Sequence, residues 1–319
     1  MKSWGGRRDS VIKLDFIGDV HGCGQTLGRL LRKLGYQFRE GAYRHSERRA
    51  IFIGDIFDRG PRVQLAAQIV QRMVEADQAD WVLGNHEIDV MGLVLEGVDG
   101  PYRTMTRRAA RQTHQTFQAF KSPELKALCE WLCHCPLWIQ NKDWRAVHAC
   151  WDDHSVMQLQ DHFGGAFPGA KVADLYTDEG VRRAASLLVR GPSLPLPNDR
   201  QMLSRDGTQR KSFRVAFWLD EPDTLGDLVF QPDPLPKDLD QQPIQPGQIA
   251  KLPYYPPGRA PLFFGHYWRR GQPSLLAPNL ACLDYSAVLR EKLVCYSHQP
   301  GAALSAKHFT WVESASEWD

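Results

Sequence analysis

The feature that most restricts how this chain can fold is a pattern repeated three times in its first third. A short apolar run ends in Gly-Asp or Gly-Asn, and a loop and an amphipathic segment follow. Residues 11–17 lead into Gly18-Asp19, residues 50–53 into Gly54-Asp55, and residues 81–83 into Gly84-Asn85. Apolar runs this short, closed by glycine, read as buried strands. Leu27, Leu30, Leu31 and Leu34 put a helix over about 25–34. Leu65, Ile69, Val70 and Met73 keep the same period in a second helix, with Pro61 at its start. Successive strand–loop–helix units require a mainly parallel sheet with helices on its faces.

Further along, the spacing predicts helices over 103–120, 123–133 and 178–189, and strands over 137–140, 145–148 and 213–218. Residues 232–261 carry nine prolines, a density that predicts a long loop without regular structure. Strands return over 262–265, 280–285, 293–298 and 309–312. No internal repeat is visible.

Composition excludes several classes. Hydrophobic content of 43% and charged content of 24% are ordinary for a globular protein. Lys+Arg 39 against Asp+Glu 37 leaves a net charge of +2, which gives no footprint for nucleic-acid binding. No apolar run reaches the length of a membrane span, and residues 1–15 lack the apolar segment of a signal peptide. Seven cysteines, an odd number without paired metal-site spacing, point to reduced thiols in a cytoplasmic protein.

Polar residues recur at one structural address, the carboxyl end of successive strands, where open α/β sheets place their ligands. Asp19 and His21 follow the first strand, Asp55 and Asp58 the second, and Asn85 and His86 the third. His148 follows the strand residues 145–147, and His266 follows 262–264. Asp, Asn and His together make a mixed oxygen and nitrogen donor set suited to Mn, Fe, Zn or Co. A carboxylate can bridge two metals, and Asp55 is the natural candidate. Two metals about 3.5–4 Å apart can clamp both attacking and departing oxygens at phosphorus.

The stretches GDVHG (18–22), GDIFDRG (54–60), GNHE (84–87), VHAC (147–150) and FGHY (264–267) resemble the calcineurin-like metallophosphoesterases. More narrowly they resemble the phosphoprotein-phosphatase branch, in a bacterial form. The resemblance covers about residues 11–150 densely and thins afterwards. It implies an αββα sandwich of two mixed β-sheets flanked by helices. It also implies one metallophosphoesterase domain over 1–319: a motif-bearing half (11–150), a helical and proline-rich region (151–260) and closing strands (261–319).

The implied chemistry is metal-dependent hydrolysis of phosphate monoesters, including phosphoserine or phosphothreonine on protein, by in-line attack of a metal-bridging hydroxide. Two divalent transition metals are implied, Mn first, with Fe, Zn, Co or Ni as alternatives. Asp19, His21, Asp55, Asn85, His148 and His266 match the metal ligands. His86 matches the general acid, with Asp58 orienting it. Arg59 and Asn85 match phosphate-binding groups, and Arg190 in LLVRGP (187–192) is the candidate second clamp. The chain departs from the eukaryotic pattern at Ala149-Cys150, where that pattern has Gly-Gly.

Two other readings stay open. One is a dinucleoside-polyphosphate hydrolase of the diadenosine tetraphosphate type. The other is a scaffold with the same fold and no catalysis, which the filled ligand set disfavours. The expected partner is a phosphorylated protein, small molecule or nucleotide, with no nucleic acid and no membrane. Arg103, Arg107 and Arg111 fall on one face of an expected helix, either a solvated face or a surface that steers polyphosphate. Tyr267 and Trp268 are expected at the pocket rim.

Overall fold

The computed structural model describes residues 13–203, 209–230, 235–249 and 252–318. The repeated units form in order: β1 (Lys13–Ile17), α1 (Gly24–Lys33), β2 (Arg48–Phe52), α2 (Val63–Glu75), β3 (Ala79–Trp81) and α3 (Asn85–Val94). After α4 (Arg107–Ala119) and α5 (Ser122–Leu132) come β4 (Trp138–Gln140), β5 (Arg145–Val147), α6 (Asp153–Phe163) and α7 (Glu179–Arg190). The closing strands are β6 (Leu262–Phe264), β7 (Leu280–Cys282), β8 (Lys292–His298) and β9 (Phe309–Glu313).

Two mixed sheets result. The five-stranded one runs β9-β8-β1-β2-β3, and the four-stranded one β7-β6-β5-β4. β1, β2 and β3 are parallel, with Phe16 opposite Ile51, and β8 pairs antiparallel with β1, with Tyr296 opposite Phe16. In the second sheet β6 is parallel to both β5 and β7.

Side-chain alternation explains why the sheets stack. Successive residues of a strand point to opposite faces, and here both faces are apolar. Leu14, Phe16, Ile51 and Ile53 of the first sheet meet Ala146, Phe263 and Ala281 of the second in one core. Phe16 and Phe263 stack with ring centroids 3.7 Å apart. Their neighbours Ile17, Ala50, Phe52, Val147 and Phe264 face the other way, into the core shared with the helices. Helix, sheet, sheet, helix layering covers the faces of both sheets.

Some expectations need correction. Val11 and Ile12 of the first expected strand, and residues 232–234 and 250–251 of the proline-rich stretch, lie outside the described residues. Pro61 sits two residues ahead of α2 rather than inside it. α4 begins at Arg107 because the Thr106 hydroxyl accepts the Ala109 N–H and caps it there. Arg103 is therefore off the helix, and the three-arginine face does not exist.

The strand expected over 213–218 ends at Arg214. The proline-rich stretch is not structureless, since single helical turns form at Lys237–Asp240 and Pro246–Ile249. Proline is tolerated in a first turn, where its missing N–H would have no partner. Leu235, Leu239 and Ile244 join Leu194, Phe213, Val215 and Leu228 in a third, smaller core. All seven cysteines are free and buried. Among the described residues no helix is long and apolar enough to cross a membrane.

Candidate active site

The loops after β1, β2, β3, β5 and β6 converge, so residues from both sheets meet at one place. The Asp55 carboxylate lies at its centre. Its Oδ2 is 3.6 Å from His21 Nε2, 3.8 Å from His86 Nε2 and 3.4 Å from His148 Nε2. His21 Nδ1 donates to the Phe57 carbonyl at 3.0 Å, and His148 Nδ1 to the Ile53 carbonyl at 2.6 Å. A carbonyl can only accept, so both rings carry a proton on Nδ1, and in its neutral, metal-binding form each turns an Nε2 lone pair toward the carboxylate. Acceptor faces acceptor, and buried His21 Nε2 has no hydrogen-bond partner.

A cation between these groups removes the conflict. Two sets can hold one, His21 with Asp55 and His86, and Asp55 with His148 and His266. Within each set the ligand atoms lie within 4.8 Å of one another, and every member is buried. Asp55 belongs to both, which is the position of a bridging carboxylate. His21 and His266 stay neutral, the form that binds metal. Burial lowers both well below the ordinary histidine range, reinforced by the charge of Arg59 at His21 and of Arg214 at His266.

Asn85 opens α3 and faces the second set. With Oδ1 turned inward, it lies 3.3 Å from His148 Nε2, which on the neutral ring is again acceptor against acceptor. The flipped amide would instead donate to His266 Nδ1 at 2.8 Å. The first orientation suits a bound cation, and the second the protein alone.

Asp19 is buried beside these sets but belongs to neither. Both its oxygens sit 3.2 Å from the His266 N–H. Burial, then Asp284 and Asp55, raise its carboxyl well above the usual range. Such crowding of carboxylates likewise favours a cation.

Beside the carboxylates, His86 Nδ1 lies 2.6 Å from Asp58 Oδ2, and the Thr116 hydroxyl bonds the other oxygen of Asp58. His86 Nε2 is 3.3 Å from Arg59 Nη2, and the Arg59 guanidinium stacks over Trp268 at 4.6 Å. Arg190, at the end of α7, places Nη2 2.6 Å from Asp89 Oδ1. Trp268 is half-buried beside Arg59, but Tyr267 is not at a rim. It is fully buried, and its hydroxyl donates to the Val215 carbonyl at 3.1 Å. The ring is apolar enough to fill the core once its one polar atom is paired.

The backbone is strained where these groups meet. His21, Asp55, Asp58, Arg59 and His266 all have φ between 42° and 67°. That region is unfavourable for residues with a Cβ and tends to cluster at functional sites. Close approach also demands glycine. A Cβ on Gly84 would lie 2.3 Å from Asp55 Oδ1, and one on Gly265 2.0 Å from Asp19 Oδ1.

Three residues went unnoticed at the level of motifs. Glu87 accepts the N–H groups of Asp55, Ile56 and Gly84 at 2.8 Å and of Phe57 at 3.2 Å, tying the loop after β2 to the start of α3. Its signal was its place in GNHE. Asp284 is buried two residues past β7, with Oδ2 unpartnered and its carboxyl raised to about 6, chiefly by burial. Its signal was an apolar run ending in Asp, at the address already singled out. Thr116 had none, because it sits mid-helix in α4.

Residues 12–180 match the family described as calcineurin-like phosphoesterase. An asymmetrical bis(5'-nucleosyl)-tetraphosphatase PrpE of Oceanobacillus iheyensis is 49% identical over 76 residues, 24% of this chain and 30% of that protein. The corresponding protein of Halalkalibacterium halodurans is 43% identical over 76 residues, 24% of this chain and 31% of its own. The chain thus aligns with under a third of the length of these curated relatives.

Among solved structures, a cold-active protein-tyrosine phosphatase of a psychrophilic Shewanella sp. is 18% identical, with a TM-score of 0.48 over 92% of this chain and 81% of that one. A protein serine/threonine phosphatase of Saccharomyces cerevisiae with similarity to human phosphatase PP5 is 15% identical, with a TM-score of 0.46 over 95% and 80%. With more than half its length matched by the family's pattern, the chain belongs to the calcineurin-like phosphoesterases.

Proposed function

We propose that this chain hydrolyses phosphate monoesters by in-line attack of water, at a centre that holds two divalent cations. The observation that carries this is the meeting of three imidazole Nε2 atoms and one carboxylate oxygen within 3.8 Å. Asp55 would bridge the two cations, with Asp19 and His21 on one side and Asn85, His148 and His266 on the other. When bound, the pair would supply Lewis acidity at the phosphoryl oxygens and a water acidic enough to react at neutral pH. The donor set admits Mn first, then Fe, Zn, Co or Ni.

The remaining roles follow from hydrogen bonds. Asp58 accepts from His86 Nδ1 and fixes the ring, so His86 can hold a proton at Nε2 and pass it to the leaving oxygen. Arg59, steadied by Trp268, offers its fork to two phosphoryl oxygens. Asn85 and Arg190 complete the phosphate-binding set. The substrate is a phosphorylated protein or small molecule. A second reading, hydrolysis of a dinucleoside polyphosphate, is favoured by the PrpE-like stretch of 76 residues.

The test is hydrolysis of p-nitrophenyl phosphate with added Mn²⁺, with and without chelator. Activity is expected to need the metal and to fall by about 10³-fold or more in Asp55→Asn, the scale of losing a main transition-state stabiliser. An Asp55→Asn enzyme as active as the wild type would end the proposal.

A further inference from the structure

Beside the candidate metal centre lies a groove of about 1410 Å³, of which the roles above use only Arg190. It is lined by Ile88, Asp89 and Leu93 of α3, the helix whose first turn carries Asn85, His86 and Glu87. Asp89 follows Asn85 by four residues, so the two share a face of that helix, about 5–6 Å apart at Cβ. Asp89 Oδ1 is paired with two guanidiniums at once, Arg190 Nη2 at 2.6 Å and Arg103 Nη1. Arg190 arrives from the end of α7. Arg103 arrives from the loop before α4, where its N–H donates to the Gly92 carbonyl at 2.7 Å. The missing side chain of Gly92 gives Arg103 its path, since a Cβ there would lie 2.7 Å from Arg103 Cδ.

We infer that Asp89 holds Arg103 beside Arg190 so that the pair extends the phosphate-binding set into a second anion subsite, with Arg190 shared and Arg103 taking the phosphoryl group next to the one being cleaved in a phosphoanhydride chain. Two guanidiniums offer ten N–H donors and a carboxylate accepts about four hydrogen bonds, so one Asp cannot satisfy the pair. Among the described residues Asp89 is the only carboxylate paired with either arginine, which leaves the cluster with a net charge of +1.

The two cations also repel. Arg103 is lowered below the ordinary arginine value, first by burial and then by the charge of Arg190. An anion at the groove relieves that repulsion, and a planar fork matches phosphoryl oxygens better than a point charge does. The side chains of Arg103 and Arg190 remain 41% and 38% exposed, while that of Asp89 is 10% exposed. The carboxylate is thus the fixed element, and the guanidiniums face the opening. Tyr102 and Tyr176, stacked at 5.3 Å, line the same groove.

This subsite rests on the phosphoesterase reading, and the experiment separates the two. Hydrolysis of p-nitrophenyl phosphate by the Mn²⁺-loaded protein would be inhibited by a β,γ-methylene nucleoside triphosphate and, separately, by orthophosphate. The inhibition constant for the methylene triphosphate is expected to rise about tenfold or more in Arg103→Gln, the scale of one charge-assisted hydrogen-bonding group. Arg103→Lys, which keeps the charge and the fold but not the fork, should fall between. Orthophosphate inhibition should shift several-fold less.

Equal shifts for both inhibitors would mark Arg103 as structural, and no shift for either would remove the subsite. An inactive wild type would instead defeat the phosphoesterase reading itself, and the subsite with it.

Discussion

Glu87→Gln probes the scaffold under the site rather than its chemistry. Glu87 Oε2 accepts from Asp55 N and Gly84 N, and Oε1 from Ile56 N and Phe57 N. Glutamine keeps one oxygen and replaces the other with an NH₂ group. Whichever way the amide turns, two buried backbone N–H groups lose their acceptor and face a donor. Each orphaned donor costs roughly 1–3 kcal/mol, so the gross loss is about 2–6 kcal/mol.

Part of that is recovered. Burial, with the Asp55 charge behind it, pushes the Glu87 carboxyl up to about 7, and a neutral amide avoids that cost. A rise from 4.5 to about 7 is worth about 3 kcal/mol, so the net expectation at pH 7.5 is a loss of about 1–3 kcal/mol, a sizeable share of the roughly 5–15 kcal/mol that holds a domain together. Urea unfolding with the metal removed reads it directly. The metal content of the purified variant should also fall, because Asp55 and Asn85 sit at the two ends of the Glu87 brace. An unfolding free energy within about 0.5 kcal/mol of wild type (roughly the scatter among harmless surface changes) would refute the idea that Glu87 positions the loops.

Two further predictions concern histidines with opposite surroundings. His86→Asn should keep its metal but lose about 10²–10⁴ in turnover on alkyl phosphates. The loss on p-nitrophenyl phosphate, whose leaving group needs little protonation, should be far smaller, and equal losses would rule out the acid role. His298 lies in the inter-sheet core beside Phe16 and Phe263, with neither ring nitrogen hydrogen-bonded. Burial, then His308, lower it from 6.5 to about 4. Below pH 6.5 the unfolded chain takes up a proton that the fold refuses until about pH 4. The stability tied to neutral His298 is thus present above pH 6.5 and lost as pH falls toward 4. Relative to wild type, His298→Leu should gain about 2–3 kcal/mol between pH 7.5 and 4.5, and denaturation curves with an unchanged gap would contradict it.

Much of the fold was legible because strand-end glycines and apolar runs are local signals. The order β1-α1-β2-α2-β3 and its parallel pairing follow from them, whereas two mixed sheets were implied only by the family resemblance. Residue types at strand ends likewise named Asp55, His148 and His266 before any distance was known. The proline-rich stretch misled, because proline density reports what a segment cannot do and not the single turns it still permits. Arg103 misled for a related reason: spacing put it on a helix, while one Thr106 side chain decided where that helix begins.

What only the tertiary structure decided are relations between residues far apart in the chain. Sequence names side chains one at a time, and each histidine could as well have been a satisfied core residue. Distance decided that the Nε2 atoms of His21 and His148 face the same oxygen. Backbone carbonyls at Phe57 and Ile53 decided which nitrogen of each ring is free. The Asp89–Arg103–Arg190 cluster carries no local signature at all, since pairing charges across 101 residues is a property of the folded chain alone.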